Sequence, residues 1–296
     1  MRLTGILRDP IYSPDQHADN DRQILELTAD ALRRRGCRVE LIGEAEVGRR
    51  ERSIADLVFS MCQGPRATAE LARLERQGRL IINSPVAVQR CYRVNLLRIL
   101  GQHWDGLAPM TVVSTTGSAE LARLLAANGP TWVKRADVHA TQRGDVVKVS
   151  SVEECDAALA DFRTRGLARA VVQPHIEGTV VKFYGVIGTG FFRFYCERDR
   201  KVAPVAFWPA RPAVERLVRR VGLQVYGGDA VLTDDGQVVV IDVNDWPSFA
   251  CFRGEAAETI GDLVYRCAAD HLARRLARRP ALGHGAAGLP SHHSRR

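Results

Sequence analysis

Several things are missing from this chain of 296 residues, and each absence closes a class of explanation. No apolar run approaches the ~18 residues that a membrane span requires. The opening MRLTGILRDP turns polar after a few residues and lacks the apolar core of a secretory leader. The chain is therefore read as cytoplasmic. The seven cysteines, Cys37, Cys62, Cys91, Cys155, Cys196, Cys251 and Cys267, are odd in number, scattered, and contain no CxxC pair. That excludes a disulfide framework or a thiolate zinc site and fits reduced, mostly core thiols. Cys251 alone lies near a candidate site. No GxxxxGK[ST] is present, and Gly188–Gly190 lacks the rest of GxGxxG and its following helix, so neither common phosphate-binding turn is available. No acidic residue follows Asp270, while six arginines do (Arg274, Arg275, Arg278, Arg279, Arg295, Arg296). Without them the net charge of +8 falls to +2, so the basic excess belongs to a tail rather than to a binding face. Residues 274–296 are read as a basic, disordered tail capable of non-specific contact with nucleic acid and no more.

What is present reads as an ordinary globular protein, 46% hydrophobic and 26% charged, long enough for about two domains. Strands at 3–7, 38–42, 55–61 and 80–82 alternate with helices over about 19–35 and 66–77, the first given N-cap chemistry by Asp19, Asn20 and Asp21. Such alternation predicts a mainly parallel sheet covered by helices, a three-layer α/β domain over 1–84. Ser84-Pro85 starts a helix expected to run unbroken to about Leu100. A strand near 110–113 and a helix at 118–128 lead into TWVKRADVHA, 131–140; strands at 145–149 and 169–173 follow, with a Ser151/Glu154 capping box before a helix to Gly166. Strands at 179–187, 190–196, 223–232 and 238–243, a helix at 212–221 and a last helix from Glu255 complete the pattern.

Residues 238–249, VVVIDVNDWPSF, carry the most chemistry. A β-branched run ends on Asp242 and Asn244, which sit two apart and so project the same way. Two oxygen donors aimed at one point suit Mg²⁺, which takes one or two carboxylates and completes its octahedron with water and phosphate oxygens. Alternatively, Asp242 caps a turn and Asn244 begins a loop. Asp229 follows Gly227 and Gly228, read as glycines that let backbone approach a ligand. Lys134 and Lys182 lie at strand positions from which point charges can neutralise phosphate. Lys182 and Tyr184 share one face, Val181 and Phe183 the other. Asp245 serves as a base or, the reading preferred here, as a loop cap. Trp246 and Phe249 are read as packing.

The order of these motifs over about 83–270 resembles the ATP-grasp superfamily, with a matching α/β domain before it. The resemblance implies an N-terminal parallel-sheet domain (1–84), a lid-side subdomain (85–172) and a C-terminal subdomain with the metal site (173–273). It implies that Lys134 and Lys182 clamp the phosphates of ATP, that Val171-Val172-Gln173-Pro174-His175-Ile176 reads adenine through its backbone, and that Glu177 meets the ribose. Asp229, Asp242 and Asn244 would hold one or two Mg²⁺. Arg93 stands where a lysine is common; it keeps the charge and adds a planar fork, and is carried over as a phosphate contact.

Two branches of the superfamily compete. The layout looks like the glutathione-synthetase and ribosomal-protein glutamate ligase type, which couples a carboxylate to an amine through an acyl phosphate. Lys134 with His139 five residues on, and GTVVKFYGVIG around Lys182, look like the inositol-trisphosphate kinase branch, in which the corresponding histidine contacts substrate phosphate. His139 and Lys182 are the expected catalytic residues. A small-molecule substrate is expected, with Arg8, His17, Arg211, Ser248 and Arg253 as candidate contacts; oligomeric state is left open. Outside the superfamily stands a non-catalytic, basic-tailed binding protein. On the sequence alone, Asp242→Ala is expected to abolish Mg²⁺-dependent turnover and leave folding largely intact.

Overall fold

The computed structural model describes residues 1–13, 18–101, 106–196 and 209–278. Three four-stranded sheets organise them. The first contains β1 (Arg2–Leu7), β2 (Arg38–Gly43), β3 (Leu57–Ser60) and β4 (Leu80–Ile82) in the order β2-β1-β3-β4, all parallel. Its helices are α1 (Ala18–Arg34) and α2 (Pro65–Arg76). In α1 the buried residues Ile24, Leu25, Thr28, Ala31 and Leu32 recur at helical spacing, and Ile24, Leu25 and Leu32 enter a core shared by the first sheet and the chain's last helix. Asp19 and Asp21 lie inside its first turn rather than ahead of it, where carboxylates favour the helix dipole.

The second sheet joins β5 (Thr111–Ser114), β6 (Thr131–Arg135), β7 (Val146–Val149) and β8 (Arg169–Pro174) in the antiparallel order β5-β8-β6-β7. Helices α5 (Ser118–Asn128) and α6 (Val152–Thr164) share a core with it, built on Leu121, Val133, Leu159, Phe162 and Val172. The third sheet is also antiparallel, β10-β9-β11-β12, from β9 (Thr179–Val186), β10 (Phe192–Cys196), β11 (Val225–Leu232) and β12 (Val238–Asp245). Leu107 adds a parallel bridge to Val240, where Ala108 N donates to Val240 O at 2.8 Å and Val240 N to Gly106 O at 2.7 Å.

Alternation along β9 separates two environments. Val181 and Phe183 enter a core shared with α3 (Pro85–Cys91), α4 (Arg93–Leu100) and α7 (Arg211–Val221). Tyr184 and Val186 face the other way, into a core shared with the first sheet and with α8 (Arg253–Ala277). The helix expected over 85–100 is thus two helices, interrupted at Tyr92, whose extended backbone (φ −59°, ψ 128°) lets Tyr92 Oη donate to Gln63 O at 2.5 Å. Both halves, through Ala87, Cys91, Val94 and Leu96, enter a core that holds Val181 and Phe183 of the third sheet together with Val171 of the second.

The first and third sheets are joined through side chains. Asn83 Nδ2 donates to Val225 O at 2.7 Å, and its Oδ1 accepts from Gln224 N and Val225 N at 2.9 Å each. Helix α8 lies along α1, and a Cβ on Gly261 would come within 2.9 Å of Ala31 Cβ. Arg274 and Arg275, assigned to the tail, belong to α8, and Arg275 pairs with Asp56. The rest of the basic tail, from Arg279, lies outside the described residues. Among the described residues no helix is long and apolar enough to cross a membrane.

Candidate active site

Strand register lines up the chemistry. Tyr195, Lys182, Asp229 and Asp242 are direct cross-strand neighbours on β10, β9, β11 and β12. In the next row, Tyr184, Gly227 and Asn244 stand opposite one another. Neighbours in register share a face, so the expected projection of Asp242 and Asn244 to one side is found, with Asp229 beside them. Lys182 Nζ donates to Asp229 Oδ1 at 2.8 Å.

Two more cations reach this row from elsewhere. Lys134, on β6 of the second sheet, is 5% exposed and donates to Gln173 Oε1 at 2.6 Å and Ile241 O at 3.1 Å, which sets its ammonium next to Asp242. Burial lowers its pKa to about 8, opposed by Asp242 and reinforced by Arg93. Arg93, at the start of α4, donates through Nη2 to Asp242 Oδ2 at 2.6 Å and through Nη1 to Arg135 O at 3.0 Å. Burial alone would raise the Asp242 pKa. Arg93, Lys134 and His139 outweigh it and hold the carboxyl at about 2. Arg93 is therefore a buried partner of the Asp242 carboxylate.

A second cluster lies beyond Asn244. Asp245 has no exposed surface; its Oδ1 accepts from Gln63 Nε2 at 2.9 Å and lies 3.3 Å from His139 Nε2. Arg8 is spanned between Asp21 Oδ2 (2.7 Å), Met61 O (3.2 Å) and Trp246 O (3.0 Å), so it ties β1 and α1 to the turn after β12. Trp246 and Phe249 are fully buried and pack against Phe59 and Tyr184, as expected.

A cavity of about 300 Å³ is lined by most of these groups, though not by Lys134, which lies against Gln173 and Ile241 O. Arg8, Arg93, His139, Lys182, Asp229, Asp242, Asn244 and Ser248 line it, together with Tyr12, Asp21, Gln63 and Asp245. Gln63 was not singled out from sequence, yet it lies just past β3, at the carboxyl end of a parallel strand where open α/β sheets bind ligands.

Other candidates are elsewhere. Arg211 bonds Glu215 and Thr189 O beside the Phe192 ring, and Arg253 ties Gln23 and Asn20 of α1 to Ser248 O; neither lines the cavity. His17 lies outside the described residues. Cys251 is exposed and apart from the lining. Gln173 and Pro174 end β8, an inner strand of the second sheet, and His175, Ile176 and Glu177 follow it, all outside this lining. There His175 N–H donates to Pro130 O at 2.9 Å, and its ring is held by Trp132 Nε1 and Glu177 Oε1 at 3.1 and 3.0 Å.

The two glycines before Asp229 serve the protein's own packing rather than a ligand. A Cβ on Gly227 would meet Pro247 Cγ at 2.7 Å, and one on Gly228 would meet Asp242 O at 2.3 Å.

No three His, Cys, Asp or Glu converge as a metal cluster among the described residues. The donors at hand are two carboxylates, each with one oxygen already ion-paired, and the Asn244 amide. An all-protein cage is ruled out by that count. Mg²⁺ is compatible with it, because this ion keeps waters and phosphate oxygens for most of its sphere.

No protein-family model matches the chain, and no curated protein matches it in sequence. Solved structures do match. A D-alanine–D-alanine ligase from Coxiella burnetii superposes with a TM-score of 0.71 at 15% identity, over 94% of this chain and 98% of that one. A D-alanine–D-alanine ligase from Bacillus anthracis, solved in complex with ATP, gives 0.71 at 14% identity over 94% and 99%. An ATP-grasp RimK-domain protein from Sphaerobacter thermophilus gives 0.66 at 20% identity over 90% and 100%. At these identities the likeness is one of fold, and it extends over nearly the whole length of both partners. The chain has the ATP-grasp fold.

Proposed function

We propose that the protein is a Mg²⁺- and ATP-dependent ligase that activates a small-molecule carboxylate as an acyl phosphate and couples it to an amine or a thiol. The observation that supports this reading is Lys182 beside three oxygen donors on one face of the third sheet, with Lys134 reaching Ile241 O next to Asp242 from the second sheet, in a fold shared with ATP-dependent ligases. Lys134 is held nearly dry beside Asp242, and a phosphate oxygen would give its ammonium the additional anion that burial calls for. Lys182 is the more accessible cation, its side chain 29% exposed. Together they would position the triphosphate and neutralise charge as the γ-phosphoryl moves to the carboxylate. Asp229, Asp242 and Asn244 would hold Mg²⁺, which when bound neutralises neighbouring phosphates. Arg93 keeps Asp242 ionised and oriented for that task. The backbone after β8, at Gln173–Ile176, would receive adenine, and Glu177 the ribose.

The test is to incubate the protein with ATP, Mg²⁺, pooled metabolite carboxylates and hydroxylamine. A hydroxamate with stoichiometric ADP and phosphate is expected. A phosphorylated alcohol with no free phosphate would replace the ligase with a kinase.

A further inference from the structure

Two side chains in the cavity wall have hydrogen-bonding capacity that nothing meets. His139 is 6% exposed and lacks a partner on either ring nitrogen; Asp245 is wholly buried and lacks one on Oδ2. They stand 3.3 Å apart, His139 Nε2 to Asp245 Oδ1, but off the line that a hydrogen bond requires. The arrangement is built from all three sheets: Asp245 ends β12, His139 follows β6, and Gln63, which grips Asp245 Oδ1, follows β3. Tyr92 Oη in turn fixes the Gln63 carbonyl. Buried polar atoms are almost always satisfied, and a buried carboxylate oxygen without a donor is costly. A place held this firmly with its valences open points to a ligand.

The chemistry of that ligand follows from the wall. Asp245 Oδ2 is a buried oxygen that no donor reaches, which calls for an occupant with N–H or O–H donors. The neighbouring cations are engaged, Arg8 with Asp21 and Arg93 with Asp242. We infer that Asp245 and His139 seat the nitrogen of an amine co-substrate. This rests on the ligase reading above and narrows its nucleophile from amine or thiol to amine. Asp245 Oδ2 accepts an N–H and orients the lone pair. The neutral amine attacks the acyl carbon, so the C–N bond forms. The C–O bond to phosphate breaks, with its electron pair leaving on phosphate. The proton lost from nitrogen passes to the His139 imidazole and from there to the departing phosphate.

The test compares wild type, Asp245→Asn and His139→Gln. Each is given Mg²⁺, ATP labelled with ¹⁸O at the β–γ bridge, the carboxylate pool, and methylamine, 2-mercaptoethanol or methanol as nucleophile. Scrambling of the label into the β non-bridging position reads acyl-phosphate formation; N-methyl amide reads capture. Asp245→Asn can keep an oxygen facing Gln63 while placing a donor where the free acceptor stood. Expected are capture of methylamine in preference to the thiol and alcohol, and a ratio of amide to scrambling reduced about 100-fold or more in both variants. A ratio unchanged while both readouts fall together would make the pair structural and overturn the inference. Equal capture of 2-mercaptoethanol by wild type would overturn the choice of amine. Absence of scrambling in wild type would instead remove the ligase reading, and the amine seat with it.

Discussion

Replacing Asp242 by asparagine removes one charge and almost no volume. The structure alters the expectation drawn from sequence, that losing this carboxylate leaves folding intact. The Arg93 side chain is 3% exposed and Asp242 is its only carboxylate partner among the described residues, with the buried Lys134 ammonium close by. Removing one member of a buried pair strands the other, at a cost of about 3–5 kcal/mol. For a protein of this size that lowers the melting temperature by roughly 10 °C. The pH dependence gives a second check. The Asp242 carboxyl titrates at about 2 in the fold against an ordinary value of 3.8. Its stabilising effect is therefore complete above pH 3.8 and lost as pH falls through about 2, a change on the order of 2 kcal/mol. Urea denaturation of wild type and Asp242→Asn from pH 6 down to pH 2 should show the stability gap closing by that amount. The double variant Arg93→Met/Asp242→Asn should recover part of the loss, since the Arg93 charge is then no longer left unpaired. A single variant melting within about 2 °C of wild type, or a gap that ignores pH, would refute the pairing as the reason for Arg93.

Lys134→Met is expected to abolish ATP-dependent turnover, while the pH dependence of its stability reports the buried ammonium. With the folded pKa lowered to about 8 from 10.5, the unfolded chain binds the proton more tightly, so wild type should gain about 3 kcal/mol on the Met variant between pH 7 and pH 10.5, read by urea denaturation. Gly227→Ala should destabilise by about 1–3 kcal/mol and displace the Pro247 turn, because its Cβ has Pro247 Cγ at 2.7 Å and Phe183 O at 2.9 Å; a melting curve and an activity assay check both. Removing residues 279–296 should leave ATP turnover in place. If instead the truncated chain loses turnover, or if the intact chain shows tight, salt-sensitive RNA binding that the truncation abolishes, the basic-tailed binding protein gains over the enzyme.

The sheets were legible because hydrophobic periodicity and helix punctuation are local signals. Lys182, Tyr184 and Val181 fell on the expected faces for the same reason, as period-two alternation fixes facing once a strand is recognised. The break at Tyr92 was not legible, because its cause is a hydrogen bond to Gln63, twenty-nine residues away in sequence. The partners of Arg93 and Asp245 were hidden in a similar way. Sequence gives an arginine or an aspartate at a helix or strand end, and only the fold shows that one is buried against Asp242 and the other against Gln63 and His139. The paired glycines 227 and 228 carry a true signal of close approach, but a glycine does not declare whether a ligand or a neighbouring side chain approaches it. Sequence likewise does not show that Arg211 is held by Glu215 one turn away, or Arg253 by Asn20 and Gln23 of α1.

The central claim is a magnesium nucleotide seated between Lys134, Lys182 and the oxygen donors of β11 and β12, and a crystal structure with Mg²⁺ and a non-hydrolysable ATP analogue tests it most directly. Phosphate oxygens within hydrogen-bond distance of both ammonium groups, with the ion on Asp229, Asp242 and Asn244, are expected. An analogue bound elsewhere, with Lys182–Asp229 and Arg93–Asp242 unchanged and no ion between the strands, would contradict it.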